Sequence, residues 1–383
     1  MMRIVNCSMK FRIITLFLLS LTSYTWGQSD VAPKYVNEFL NIGVGARGYA
    51  MAGAITGSSH DAFSSYWNPA GIARISDQQS IAAMHAEYFA GIAKLDYAGY
   101  AQKVDSYRSF GASMIRFGVD NIPNTIDLYD PNGNVDYSRI SYFSAADYAF
   151  LLTYAQSEPP KILKGLMRNE KMKNHFGINA KIVYRQIGDF ANAWGFGIDA
   201  GWQAQYKMWE WGVVLKDITG TFSAWHYNLD EKTKSVFLAT GNELPENTWE
   251  IAKPRIIAGG GRSLFWRKYQ FLLEGNVIAT TDGKRNTLVS GNTISIDPAA
   301  GMEVTYQKWL KVRAGFGNFQ RTTTFEGNQV TFQPNIGLGI VFKQFSLDYA
   351  LTDIANQSDV LYTNMVSLTF NGRLPKRQVN QGS

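Results

Sequence analysis

A chain of 383 residues could hold two or three soluble domains, yet only 18% of it is charged, 14% is aromatic and 35 residues are glycine. That balance disfavours a helical enzyme and fits a glycine-rich, aromatic β protein. One cysteine, Cys7, excludes a disulfide framework, and setting aside Arg3, Lys10 and Arg12 of the leader lowers the formal charge from +6 to +3, too little to indicate nucleic acid.

The first predicted element is an address. Lys10 and Arg12 precede the apolar run Ile13 to Leu19, and Thr25-Trp26-Gly27 supplies small flanking residues. This predicts a secretory signal over 1–27, cut after Gly27, and the run is too short to span a membrane as a helix. Cys7 lies before the run, where it cannot accept a lipid, and Met9 is an alternative start. No apolar run of membrane-spanning length follows Gly27, so a mature chain that crosses a membrane must do so as a barrel.

Residues 28–78 do not alternate and read as a plug or hatch segment. Gly43, Gly45 and Gly48 fit G-x-G-x-x-G, but Gly53 and Gly57 break the helix that a dinucleotide site requires. Small residues here are expected to pack the segment tightly against a barrel wall. Ser59-His60-Asp61 names triad residue types, but a triad is built from geometry rather than adjacency. His60, His85, His175 and His226 lack metal-ligand spacing. No catalytic, metal or cofactor site is therefore expected. In Asn68-Pro69-Ala70 the Asn is placed to cap free amides and the Pro to start a helix or tight turn.

From residue 79 the pattern has a period of two. In Trp194 to Tyr206, Trp194, Phe196, Ile198, Ala200, Trp202, Ala204 and Tyr206 alternate with Gly195, Gly197, Asp199, Gly201, Gln203 and Gln205. Such alternation predicts strands near 79–90, 92–103, 107–119, 145–156, 174–188, 192–207, 209–217, 253–262, 267–280, 293–306, 309–318, 330–343, 344–352 and 361–371. Long links at 120–144, 218–252, 281–292, 319–329 and 353–360 share one parity, together with short outer links at 91 and 189–191, and the short links at 104–106, 208, 263–266, 307–308 and 343–344 have the other. This is the loop asymmetry of outer-membrane barrels. The fold expected is all-β: a transmembrane antiparallel β-barrel of about 14 strands over 79–371, with a polar tail at 372–383.

The Trp194 parity is then expected to face outer-membrane lipid. The other parity carries Asn179, Lys181, Arg185, Asp199, Gln203, Glu274, Glu303, Arg313 and Asp348 into the bore, too charged for a continuous apolar conduit. Tyr129 and Tyr142 in the 120–144 link, with Trp225, Tyr227 and Trp249 in the 218–252 link, are expected to contact a partner. The basic link 157–173 is the one long connection on the short-turn side.

The stretches FLNIGVGARGYAMAGA and DAFSSYWNPAGIARI, with Phe345 to Ala350 and the closing Val366 to Phe370, resemble the PorV/PorQ family of Bacteroidetes outer-membrane proteins, relatives of FadL-type barrels. His60, where that family leads one to expect an acidic residue, and the polar tail depart from it. The resemblance implies a plug whose Asn-Pro-Ala turn lies in or under the barrel. It further implies work in type IX secretion, with a translocon or attachment-complex protein and cargo C-terminal domains as partners. FadL-like barrels instead pass hydrophobic small molecules inward, and a barrel that braces a larger complex is a third possibility.

Overall fold

The computed structural model describes residues 36–89, 91–130, 132–158, 171–324, 327–352 and 363–372. The expected signal segment, the polar tail beyond 372 and most of the basic link 157–173 lie outside these residues. Among the described residues no helix is long and apolar enough to cross a membrane, which says nothing of a barrel.

Seventeen strands follow in order: β1 (Gln79–Tyr88), β2 (Ala93–Lys103), β3 (Arg108–Asn124), β4 (Ser141–Gln156), β5 (Lys173–Ile187), β6 (Ala191–Tyr206), β7 (Trp209–Lys216), β8 (Thr221–Tyr227), β9 (Trp249–Ala252), β10 (Arg255–Trp266), β11 (Tyr269–Thr280), β12 (Val289–Ser290), β13 (Ser295–Tyr306), β14 (Leu310–Thr324), β15 (Gly327–Phe342), β16 (Phe345–Thr352) and β17 (Thr363–Gly372). Every pairing is antiparallel, and β17 pairs with β1 to close the sheet. β8 continues β7 along β6, β9 runs into β10, and β12 is a two-residue ribbon on β13. The wall is therefore a closed antiparallel 14-stranded barrel.

Closure removes the sheet edges, so every wall residue can satisfy its backbone groups within the sheet. Traced from partner to partner round the wall, the register slips by about one residue per strand. A stagger of that kind accompanies strands tilted by ~35–45° to the barrel axis.

The two faces invert the order of a soluble sheet. On β6, Trp194, Phe196 and Ile198 are exposed, while Gly195, Gly197, Asp199, Gly201 and Gln203 are buried. Only a barrel with apolar surroundings and a filled bore accounts for both.

Three expected loops prove shorter, and the described residues of the 319–329 link are all strand, because β14 runs on to Thr324 and β15 starts at Gly327. β3 and β4 run on above a bulge between Val119 and Ile122, so both ends of the 120–144 link, to Asn124 and from Ser141, are wall. In the 218–252 link, β8 and β9 form a hairpin that carries the wall upward, and Glu231–Ala239 is helical. β-branched and aromatic residues at Ile122, Phe143, Phe222 and Trp225 suit strands, which is why these segments pair.

The bore holds the chain preceding β1. It contains short helices at Glu38–Asn41, Ala46–Ala50, Ser64–Trp67 and Pro69–Arg74. Two slots in the wall admit it. Gly177 and Gly201 pair across β5 and β6, where added Cβ atoms would lie 2.3 Å from the Pro69 carbonyl carbon and 2.2 Å from Asn68 Oδ1. Gly301 and Gly315 pair across β13 and β14 against the Met51 backbone.

Filling the first slot should unseat the turn it receives. Gly177→Val is expected to cost about 1–3 kcal/mol through overpacking. It should lower the urea midpoint in detergent and reduce the heat-modifiable folded band on gels. Ala258→Val, at an exposed outward position on β10, should leave both unchanged.

Candidate functional site

The plug is tied to the wall at three levels, and each tie answers a charge that the bore would otherwise leave unpaired. Nearest the short-turn end, Arg74 donates to Glu210 at 2.6 Å, to Gln203 at 2.9 Å and to the Gly57 carbonyl at 2.7 Å. Arg47 donates to Glu303 at 3.0 Å, and Glu303 also accepts from Arg313, which reaches on to Asp348, both at 2.6 Å. Burial pulls the Arg47 pKa down, but Glu303, with Asp61 and Glu274 behind it, more than reverses this and holds the guanidinium charged.

At mid-height Lys181 of β5 donates to Asp199 at 3.0 Å and to Asp217 at 2.5 Å. Arg255 lies 3.6 Å from the same Asp217 and donates to Asn41 of the plug. Lys216 stands 3.8 Å over the ring of Tyr66, whose hydroxyl donates to the Leu40 carbonyl at 2.7 Å. Burial raises the Tyr66 phenol above its ordinary pKa, so it stays a neutral donor. Toward the long-loop end Arg285 joins Glu38 of the plug, at 2.9 Å, to Asp282.

The wall is irregular beside this upper tie. Three residues of β6, 197–199, face six of the adjoining strand, 216–221. The excess forms a bulge with Asp217 and Gly220 at positive φ, which turns Asp217 into the bore. The next strand breaks at the same level, between β9 and β10, at Lys253-Pro254. Asn37, Glu38 and Asn41 lie against this interruption from within.

The sequence motifs find structural uses. Trp67 fits against Gly43 and Gly48, at 3.2 and 2.5 Å from their would-be Cβ atoms, and Phe63 packs on Gly45. These glycines therefore receive the plug's own rings rather than the wall, a correction to the expected packing. Asn68 is wholly buried, accepting from the Ala70 amide and donating to the carbonyls of Thr56 at 2.9 Å and Trp202 at 3.0 Å. Pro69 occupies the first helical position. Ser59, His60 and Asp61 do not converge: Ser59 accepts from Gln203, His60 Nδ1 meets the Ser58 carbonyl, and Asp61 accepts from the Phe63 amide. Among the described residues no His, Cys, Asp and Glu cluster could hold a metal.

The five loop aromatics divide. Tyr129, Tyr142 and Trp249 are exposed, at 63%, 67% and 71%. Trp225 is buried on the inward face of β8, where its indole donates to Glu250 and lies under Arg185, with Tyr227 half-buried beside it. Neither Trp225 nor Tyr227 belongs with an exposed contact face. Phe222, expected in the loop, and Ile251 instead point outward from paired strands, on the same face as Trp249.

The described cavities carry charged and polar groups in their linings. One of about 230 Å³ at the short-turn mouth is lined by Arg47, His60, Asp61, Lys311, Arg313 and Asp348 among others. A cleft of about 650 Å³ near the long-loop rim includes Arg116, Tyr142, Tyr148, Gln186, Asn228 and Asp230.

No family profile and no curated protein matches the chain. Solved structures do share its fold. The monoaromatic hydrocarbon channel CymD is 11% identical over 86% of this chain and 98% of its own, with a TM-score of 0.50. The toluene transporter TbuX of Ralstonia pickettii is 12% identical over 86% and 98%, at 0.48, and a Pseudomonas aeruginosa FadL homologue is 13% identical over 86% and 98%, at 0.47. The fold is that of FadL-like outer-membrane barrels, whose structural neighbours here are channels rather than enzymes.

The mid-height tie can be tested directly. Lys181→Met leaves Asp199 and Asp217 buried beside each other without their shared cation, and should cost about 3–5 kcal/mol. Denaturant unfolding in micelles measures it. Lys268→Met, exposed in the β10–β11 turn, should cost less than about 0.5 kcal/mol.

Proposed function

We propose that this chain is a plugged outer-membrane barrel that works through its outer rim, binding a protein there, rather than through its bore. The observation that carries this reading is the charge of the bore. Ion pairs cross it at three levels, from Arg74–Glu210 to Glu38–Arg285, with the plug backbone pressed into glycine slots between them. A path for an apolar molecule would have to break such pairs, each costly to leave half-made. The rim, by contrast, offers Tyr129, Tyr142 and Trp249, large groups that bury much area on contact at small entropic cost. The sequence resemblance supplies the setting: type IX secretion, with a translocon, an attachment protein or cargo as the partner.

The second reading is a channel for hydrophobic small molecules, and the shared fold favours it over the first. CymD, which shares the fold, is a monoaromatic hydrocarbon channel. The wall interruption at Asp217–Gly220, closed from within by Asn37 to Asn41, is where such a route would leave the barrel.

One purification separates the two. Tagged protein taken from its own outer membrane in mild detergent should retain a stoichiometric protein partner. The triple variant Tyr129→Ala, Tyr142→Ala, Trp249→Ala should fold normally and lose at least about 90% of that partner, the scale of aromatic hot spots. A lone barrel that carries an apolar ligand and accelerates its uptake in vesicles would replace the proposal with the channel.

A further inference from the structure

A break in the outward apolar belt marks a second surface. His85 stands six residues above Gln79 at the short-turn end of β1, about 15 Å up at ~3.3 Å per residue and a tilt near 40°. That is inside a lipid-facing band ~25 Å tall. Round the rest of the wall large apolar side chains face outward at this height, among them Phe196, Ile198, Ile256, Val277, Phe316 and Ile336, and the polar Asn364 of β17 lies directly beside Glu87. On β1 to β3 the outward positions are His85, Glu87, Lys94, Asp96 and Arg116, with Asp120 above.

These groups are paired loosely. His85 Nδ1 meets Asp96 at 2.7 Å, but its Nε2 is 3.8 Å from Glu87. Arg116 is 3.5 Å from Asp96 and 3.6 Å from Asp120, and Lys94 is 3.7 Å from Asp120. His85 and Glu87 keep 52% and 56% of their side-chain surface. Ionisable groups at such depth are costly in hydrocarbon and mark a place that lipid does not cover.

Beneath them three small outward residues are interleaved with Tyr100 and Met114. Ala83 of β1, Ala98 of β2 and Ala112 of β3 face outward where neighbouring strands carry large side chains. Small residues allow two membrane walls to approach closely.

We propose that this face of β1 to β3 is the interface with a second copy of the chain, related by a two-fold axis along the membrane normal that passes over β2. The register is what selects a second copy. With a slip of one residue per strand, Glu87 on β1 and Arg116 on β3 lie at equal height on either side of β2. Ala83 and Ala112 form a second such pair lower down. A two-fold axis exchanges the sides at constant height, so Glu87 of each protomer meets Arg116 of the other and Ala83 meets Ala112. Asp96, near the axis, is answered within its own chain by the Arg116 guanidinium at 3.5 Å and by a hydrogen bond with His85. The carboxylates of Glu87, Asp96 and Asp120 make the face a poor seat for phosphate-bearing lipid headgroups. The inference is independent of what binds at the rim.

Cross-linking in native outer membranes tests it. In a Cys7→Ser chain, Ala98→Cys should yield a disulfide-linked species of twice the mass on mild oxidation, and Ala200→Cys, outward on β6, should not. Glu87→Arg and Arg116→Glu should each lower the linked fraction about tenfold by opposing like charges across the axis. Together the two reversals should restore it. Heat-modifiability on gels confirms that each variant is folded. Folded Ala98→Cys protein that stays monomeric, or that links to a different protein, overturns the assignment to a second copy, as does failure of the double reversal to restore linkage.

Discussion

The wall of this molecule turns its large apolar side chains outward, and everything inside follows from that inversion. A bore lined by the other parity is polar and has to be satisfied without much water, so each charged wall residue needs a fixed partner. Lys181 finds two wall carboxylates, Asp199 and Asp217. Glu303 is shared between Arg313 of the wall and Arg47 of the plug. The plug is therefore a component of the wall's electrostatics as well as a filling. Its backbone must also come within contact distance of the strands, which is why paired glycines stand at Gly177–Gly201 and Gly301–Gly315.

Much of this was legible in the sequence, because a period of two is a local property and survives without knowledge of neighbours. The alternation in β6 identifies a strand and its lipid face from thirteen residues, and the parity of long and short links counts the staves. What the period cannot carry is register across an irregularity. The bulge at Asp217–Gly220 inserts residues and flips the parity between β7, where Trp209 and Leu215 face outward, and β8, where Phe222 does. That flip hid Trp225 on the inside, and a strand pair was read as loop. The glycine motif failed differently: its close approach was legible, but whether the neighbour is a wall or an indole depends on Trp67, some twenty residues away.

The same structure ranks the ties by how firmly they hold. Arg313 and its two carboxylates are almost fully buried, with 1% of the Arg313 side chain exposed, so separating them exposes charges with nothing to replace the partner. Glu38 is 37% exposed where it meets Arg285 at the long-loop end. Solvent competes there, and such a pair contributes little to stability. The ties are thus graded along the bore: Glu38–Arg285 is the most exposed of them, although Phe39 and Leu40 of the same segment are buried in the core, while Arg47, Asn68 and Arg74 are held by buried partners. A movement confined to the upper segment would uncover the wall interruption at Asp217 without unseating the turn at Asn68.

This grading constrains either proposed role. A channel would need the lower ties to release as well, since Arg47–Glu303 and Arg74–Glu210 stand between the interruption and the short-turn mouth. Lateral exit into the surrounding lipid through the interruption requires only the upper segment to move. A rim that binds protein needs neither, and gains from a rigid base, because anchors such as Trp249 lose less entropy on binding when the strands beneath them are fixed. The β8–β9 hairpin that presents Trp249 rests on β6 at one edge and joins β10 at the other, above the break. The hairpin that presents Trp249 therefore borders the interruption from above, while the segment from Asn37 to Asn41 closes it from within, so the rim anchor and the inner closure lie on two different elements.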